Sequence, residues 1–422
     1  MPVTRRDFIK QSAGTLSVSL MLPHLLTSRT YGQSRNRRVL VVIELLGGND
    51  GFNTVIPFTD SQYRALRPTL GFKEKELKDD QGQPTLISDR LAMHPRMNAL
   101  QQLFTNGRVA IVQGVGYPNP NGSHFLSQDI WHSANPDGGL GEGWLAKYAS
   151  KALRGESELS TVSILNGRLP KSLLAKSVAA PNISSFDTFA VQTDAKFPLN
   201  RSRHLEAFLN QYTRTFPNGS YAQAIARVGN GVLSTASRVT AIPASYQSTI
   251  QYPTNNRLAT ALKMMAQMIF AIPETMVLYV QWGFFDHHAR QISVANDKLS
   301  GEHASLLRQF SEAVKAFYDD LTEHGVADNV LIFQWSEFGR RPNENRSLGT
   351  DHGTASSLFL IGNPVKSGIY GEHPAFSNLD AAGNVKLTVD FRSLYAELLD
   401  GWFQFDHQEV LGARFDKLGF LP

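Results

Sequence analysis

Apolar residues fall along this chain in two kinds of run. RVLVVIELL, 38–46, is apolar at nearly every position and rich in β-branched residues, the signature of a strand buried on both faces. VAIVQGV (109–115), VLYVQW (277–282), VLIFQW (330–335) and SLFLI (357–361) carry the same signature. Between them the spacing turns helical. Met97, Leu100, Leu103 and Phe104 line one face of 94–107, and Asn106-Gly107 supplies a stop. Further helices are predicted over 303–324 and from Asp390 through DFRSLYAELLDGWF. SHFLSQDIWHSA forms another, opening at Ser123, which suits an N-cap.

Strands alternating with helices predict an α/β fold, a doubly wound and largely parallel sheet with helices on both faces. Between about 164 and 253 the pattern loosens. Helical stretches at 203–216 and 222–239 stand there among Pro, Asn and Ser, and read as an insertion or cap on a single domain over 34–422. The chain has no internal repeats and no low-complexity tracts.

Composition narrows the chemistry. With 42% hydrophobic and 18% charged residues in 422, the chain has ample material for a core. The net charge is +4 and no Lys/Arg stripe is interleaved with aromatics, so nucleic acid is not an expected partner. Cysteine is absent. That excludes disulfides, thiolate ligands and cysteine nucleophiles, and leaves His, Asp and Glu to hold any metal. MPVTRRDFIKQSAGTLSVSLMLPHLL pairs Arg5 with Arg6 ahead of Phe8, Lys10 and a moderately apolar run, the layout of a twin-arginine export signal. Residues 1–33 are therefore expected to address the protein to the twin-arginine translocation machinery, which carries folded proteins, often with cofactor inserted. The expected location is periplasmic or otherwise extracytoplasmic. No later segment is long and apolar enough to span a bilayer.

Ligands of open α/β sheets gather at the carboxyl ends of the strands. Asn49-Asp50 follow the first predicted strand and Ser123-His124 the second. Asp286, His287 and His288 of FFDHHARQ follow the third, and Glu337 and Arg340 of SEFGRR the fourth. Asp351-His352, in the bend GTDHGTA, come just before the fifth. Loops favour Asp, Asn and Ser in any case, so one cluster says little. Together they form an edge of hard oxygen and imidazole donors suited to Zn, Mn, Mg or Ca, and one or two divalent ions are expected. Alternation on an extended segment puts Asp286 and His288 on one side and turns His287 away. Arg340 could hold a substrate oxyanion. His124 and His132 read as packed histidines near the site, and His94 as structural.

LLGGNDGFNTVIP, GVGYPNPNGSHFLSQDIW, FFDHHARQ and WSEFGRRPNENRSLGTDHG together resemble the exported family called domain of unknown function 1501, over nearly the whole chain. That family is grouped with the alkaline-phosphatase-like superfamily, which includes sulfatases and phosphodiesterases. The resemblance implies a doubly wound sheet, metal sites, and a Ser, Thr or modified Cys nucleophile. By motif, Asp50 resembles the first-strand metal ligand, Ser123 the nucleophile, and Asp286 with His288 the ligand pair of one metal. Glu337 stands where the superfamily has an Asp ligand, and Asp351-His352 where it has a further His. The implied function is hydrolysis of a phosphate or sulfate ester on a small molecule or polysaccharide. The altered Ser336-Glu337-Phe338-Gly339 motif favours the alternative, a non-catalytic exported binding or envelope-assembly protein on a degenerate hydrolase fold.

Overall fold

The strand at Val39–Leu45 (β1) is the spine of a nine-stranded sheet, because its side chains find apolar cover on both faces. This computed structural model describes residues 37–422 except 140, 154–156, 166, 179, 190–199, 201–202, 205, 208–209, 211–214, 217–234 and 294–296. The expected export signal and most of the two helical stretches expected in the cap lie outside the described residues. In chain order the further strands are β2 (Val55–Ile56), β3 (Ala92–Met93), β4 (Val109–Gly116), β5 (Thr161–Ile164), β6 (Asn182–Ile183) and β7 (Val277–Trp282). They continue as β8 (Val330–Ser336), β9 (Arg340–Glu344), β10 (Thr350–His352), β11 (Ser356–Ile361), β12 (Gly368–Tyr370) and β13 (Val389–Asp390). The longer helices are α1 (Asn98–Thr105), α2 (His124–Ser133), α3 (Trp144–Ala152), α4 (Arg257–Ala271), α5 (Glu302–Glu323) and α6 (Phe391–Glu397).

The sheet runs β12-β4-β11-β8-β1-β7-β5-β6, with β13 also paired to β4. Every pairing in it is parallel except those of β11, which lies antiparallel to β4 and β8. This reversal matters for the site. The residues entering β11 lie at the same rim as the residues leaving β1, β4, β7 and β8.

Alternate side chains of β1 enter different cores, as the pleat requires. Val39, Val41, Ile43 and Leu45 pack with Leu100 and Leu103 of α1, Leu262 of α4 and Phe310 of α5. Leu40 and Val42 pack with Ile130 and Trp131 of α2, Leu145 of α3 and Leu394 of α6. Helices thus cover both faces, the α/β architecture expected. Trp131 stacks on Trp335 of β8 with centroids 5.0 Å apart, which clamps α2 over the sheet.

The predicted strands agree with the observed ones to within a residue or so. Helix α1 is preceded by a 3₁₀ turn at Pro95–Met97, capped by His94, whose Nδ1 accepts from the Arg96 amide at 3.1 Å. The expectation that Asp351-His352 occupy a bend is corrected. They belong to β10, which pairs antiparallel with β9 in a small ribbon above the rim. Neither strand alternates apolar and polar residues, so periodicity could not reveal them. Among the described residues no helix is long and apolar enough to cross a membrane.

Candidate metal centre

The start of α2, the loop after β7 and strand β10 converge on the carboxylate of Asp286. Past β7 the chain turns at Gly283 and brings Asp286 beneath Gly47, the first glycine after β1. A Cβ on Gly47, whose φ is +107°, would lie 2.6 Å from the Asp286 amide nitrogen. His124 enters from the first turn of α2, His288 from the β7 loop, and His352 from β10. Phe338, just past β8, packs on both His124 and His352, with centroids 4.9 and 4.6 Å away.

The three imidazoles share one arrangement. His124 Nδ1 donates to Glu337 Oε1 at 2.8 Å, His288 Nδ1 to Asp351 Oδ1 at 3.2 Å, and His352 Nδ1 to the Gly122 carbonyl at 2.7 Å. The opposite nitrogens face Asp286. His352 Nε2 and His288 Nε2 stand 2.9 and 3.1 Å from Oδ1, and His124 Nε2 stands 3.4 Å from Oδ2. His288 Nε2 and His352 Nε2 are themselves 2.9 Å apart.

An acceptor on each Nδ1 keeps the proton there and leaves the lone pair on Nε2. Lone pairs aimed at one another and at a carboxylate repel unless a cation lies among them. The donor set therefore fits a divalent ion, and ligand atoms of His124, Asp286 and His352 lie within 4.8 Å of one another. Without an ion, protons serve the same purpose. The Glu337 hydrogen bond, against partial burial, pushes the His124 imidazole up. Burial raises Asp286, but hydrogen bonds from His352 and Arg340 outweigh it and hold the carboxyl well below its usual range.

Of the residues expected as ligands, Asp286, His288 and His352 come together. Asp351 joins them one bond further out, on His288 Nδ1 and on Asn345 Nδ2 at 3.1 Å. Glu337 is wholly buried and meets the centre through His124 Nδ1, not at Asp286. Its Oε1 also accepts from the Gly47 amide at 2.9 Å, and its Oε2 from Ser336 Oγ at 3.1 Å. Asp50 lies apart. It caps the short helix Gly51–Thr54, and its Oδ2 accepts from Arg67 Nη1 and Gln291 Nε2, both at 2.6 Å. A guanidinium thus already supplies the positive charge beside it. His287 does turn away, toward the rings of Phe285 and His303.

Arg340 is also placed differently from expectation. Its buried guanidinium donates to the carbonyls of Gly48 (2.6 Å), Thr350 (2.7 Å), Phe285 (3.1 Å) and Gly47, and to Asp286 Oδ1 (2.7 Å). It clamps the rim loops and Asp286 and has no fork left for a substrate oxyanion. Ser123 occupies the N-cap position of α2, but its side chain makes no capping bond and is exposed. Its hydroxyl is thus not spent on the helix, and it adjoins Gly122, which holds His352. His124, expected as a packed histidine near the site, stands at the centre. The available signal was its place beside Ser123 at a helix start after a strand.

The fold class stands on the strand order described above. The chain is similar to the crystal structure of Ps i-CgsB in complex with k-i-k-neocarrahexaose, at 12% identity over 92% of this chain and 74% of that one, with a TM-score of 0.40. It is similar to the C-terminal periplasmic domain of EcEptC from Escherichia coli in complex with Zn, at 10% identity over 78% and 74%, with a TM-score of 0.36. It is similar to a mutant of the alkaline phosphatase PafA, at 11% identity over 72% and 64%, with a TM-score of 0.32. No curated protein matches the chain. With its family model matching residues 37–415, the chain belongs to DUF1501, a family described as a protein of unknown function.

Proposed function

We propose that the Asp286 centre holds one divalent transition-metal ion and that the protein is an exported hydrolase of phosphate or sulfate esters. One observation carries this reading: three imidazoles, each pinned through Nδ1 to an oxygen, turn Nε2 toward one carboxylate. Asp286, His124, His288 and His352 would hold the ion, and a nitrogen-rich set favours Zn or another transition metal over Mg or Ca. Such an ion supplies Lewis acidity to a phosphoryl or sulfuryl oxygen. Glu337, Asp351 and the Gly122 carbonyl orient the rings, and Arg340 fixes the carboxylate between them. Ser123 is the nucleophile. Its Oγ bonds to phosphorus or sulfur as the ester bond breaks, and the leaving alcohol takes the proton that Ser123 gives up. Water then releases the anion and restores the hydroxyl, so one water is consumed per ester. The amino end of α2 favours the anion at this point.

Elemental analysis of the purified protein tests the centre. Close to one transition-metal ion per chain is expected, and Asp286→Ala or His352→Ala should remove it. Metal-free but fully folded protein would overturn the reading. Turnover of aryl phosphates or aryl sulfates should require the metal and disappear in Ser123→Ala. The use of Arg340 Nε, Nη1 and Nη2 on protein oxygens favours a second reading, a binding protein that keeps the metal without turnover, and the same assay separates the two. Export through the twin-arginine route predicts that replacing both Arg5 and Arg6 by Lys retains the protein in the cytoplasm.

A further inference from the structure

Away from the metal centre, β1 carries a charge that the sheet does not require. Glu44 is fully buried in a strand otherwise made of aliphatic residues. Its Oε2 accepts from Tyr279 OH at 2.7 Å, Gln281 Nε2 at 2.9 Å and His132 Nε2 at 3.0 Å. Its Oε1 has no hydrogen bond among the described residues. Burying a carboxylate is costly, and an apolar residue of similar size at such a position is commonly neutral or stabilising. A fixed ring orientation for His132 accounts for the charge.

His132 lies on α2 eight residues past His124, about 12 Å along the helix axis. With Nε2 on Glu44, its remaining polar atom is Nδ1. The ring lines a shallow cleft of about 510 Å³ together with Ser123, Phe125, Leu126, Gln128 and Asp129. Phe125 is 87% exposed, and Asp129 is held by Lys171 Nζ at 2.6 Å. An exposed phenyl face beside an amide, a carboxylate, a hydroxyl and an oriented imidazole suits a ring with an apolar face and hydroxyl edges. An acyl chain would leave the polar groups unpaired, and a second phosphate would meet Asp129.

We infer that this cleft is a subsite for the carbohydrate portion of the substrate, with a sugar ring stacked on Phe125 and a hydroxyl read by His132 under the control of Glu44. The inference rests on the hydrolase reading only in treating the bound sugar as part of a substrate. Binding itself needs no metal, so it is measured on the full chain carrying Asp286→Ala. The probes are short neutral oligosaccharides of the cello, malto, agaro and chito series, followed by calorimetry. At least one series is expected to bind. Adding Phe125→Ala or His132→Ala should each weaken that binding about tenfold, the loss of one good contact. Glu44→Gln, which keeps the shape but leaves the ring held by a neutral amide in place of a carboxylate, should weaken it severalfold, although a merely structural carboxylate would leave the affinity unmoved. No binding by any series, or binding indifferent to Phe125→Ala, a surface change that cannot unfold the protein, overturns the proposal. Failure of the hydrolase reading would show instead as missing metal or missing ester turnover in the wild-type protein, both separate readouts.

Discussion

Glu337 is fully buried with both oxygens engaged, so Glu337→Gln preserves its shape and removes only its charge. As the group that orients His124, it should lower metal affinity about 10–100-fold without abolishing binding, measured by competition with a chelating dye. Complete loss would make Glu337 a direct ligand. Arg340→Lys tests the clamp. A point-like ammonium cannot serve four carbonyls and a carboxylate at once. The expected loss is about 1–3 kcal/mol in chemical denaturation, the scale of leaving buried carbonyls without a donor. Two further side chains predict acid sensitivity. Burial, then the charge of Arg96, lowers His94 to about 3, so only the unfolded chain takes up this proton as pH falls below its ordinary 6.5. Burial raises Asp50, but Arg67 outweighs it and holds the carboxyl at about 2. Both groups therefore contribute stability that is present near neutrality. The His94 part is lost as pH falls from 6.5 toward 3, and the Asp50 part as pH falls from 3.8 toward 2. The midpoint of urea unfolding should decrease across the first window, and His94→Asn should flatten that slope.

The ribbon of β9 and β10 is the element that carries His352 to Asp286, and it depends on close backbone approach at Gly353. A Cβ there would lie 2.4 Å from the Arg340 carbonyl carbon and 2.6 Å from the Arg341 amide nitrogen. Neither atom can move without shifting the ribbon. Gly353→Ala is therefore expected to leave the sheet folded, as judged by circular dichroism, and to reduce bound metal sharply. Asp390 provides the contrast. It caps α6 through the Arg392 amide at 2.9 Å, on a helix packed against the opposite side of β1 from α1, α4 and α5. Asp390→Ala should cost about 1 kcal/mol of stability and leave metal content unchanged.

For the whole molecule, the centre ties the start of α2, the loop after β7 and β10 at one rim, although they are far apart in the chain. A ligand that binds only the folded state stabilises it in proportion to the logarithm of its concentration, about 4 kcal/mol at a thousandfold excess over Kd. Thermal unfolding should accordingly shift upward on adding zinc and downward with a chelator, and Asp286→Ala should abolish both shifts. An unchanged midpoint in the wild-type protein would count against a shared ion.

The strand and helix pattern was legible in the chain because burial on both faces leaves nearly unbroken apolar runs, and amphipathic helices repeat at their own period. Asp286, His288 and His352 could be picked out for a related reason, since polar clusters stand out directly beside such runs. Tertiary structure alone decided which donors meet. It gave Asp50 to Arg67 and Gln291, committed Arg340 to carbonyls, and moved Glu337 and Asp351 one bond away from the centre. It also brought in His124. Each of these outcomes depends on which atom of a side chain faces which partner across hundreds of residues. That is set by the antiparallel entry of β11, the stacking of Trp131 on Trp335 and the close passage of Gly47 over Asp286, none of which leaves a local period in the sequence.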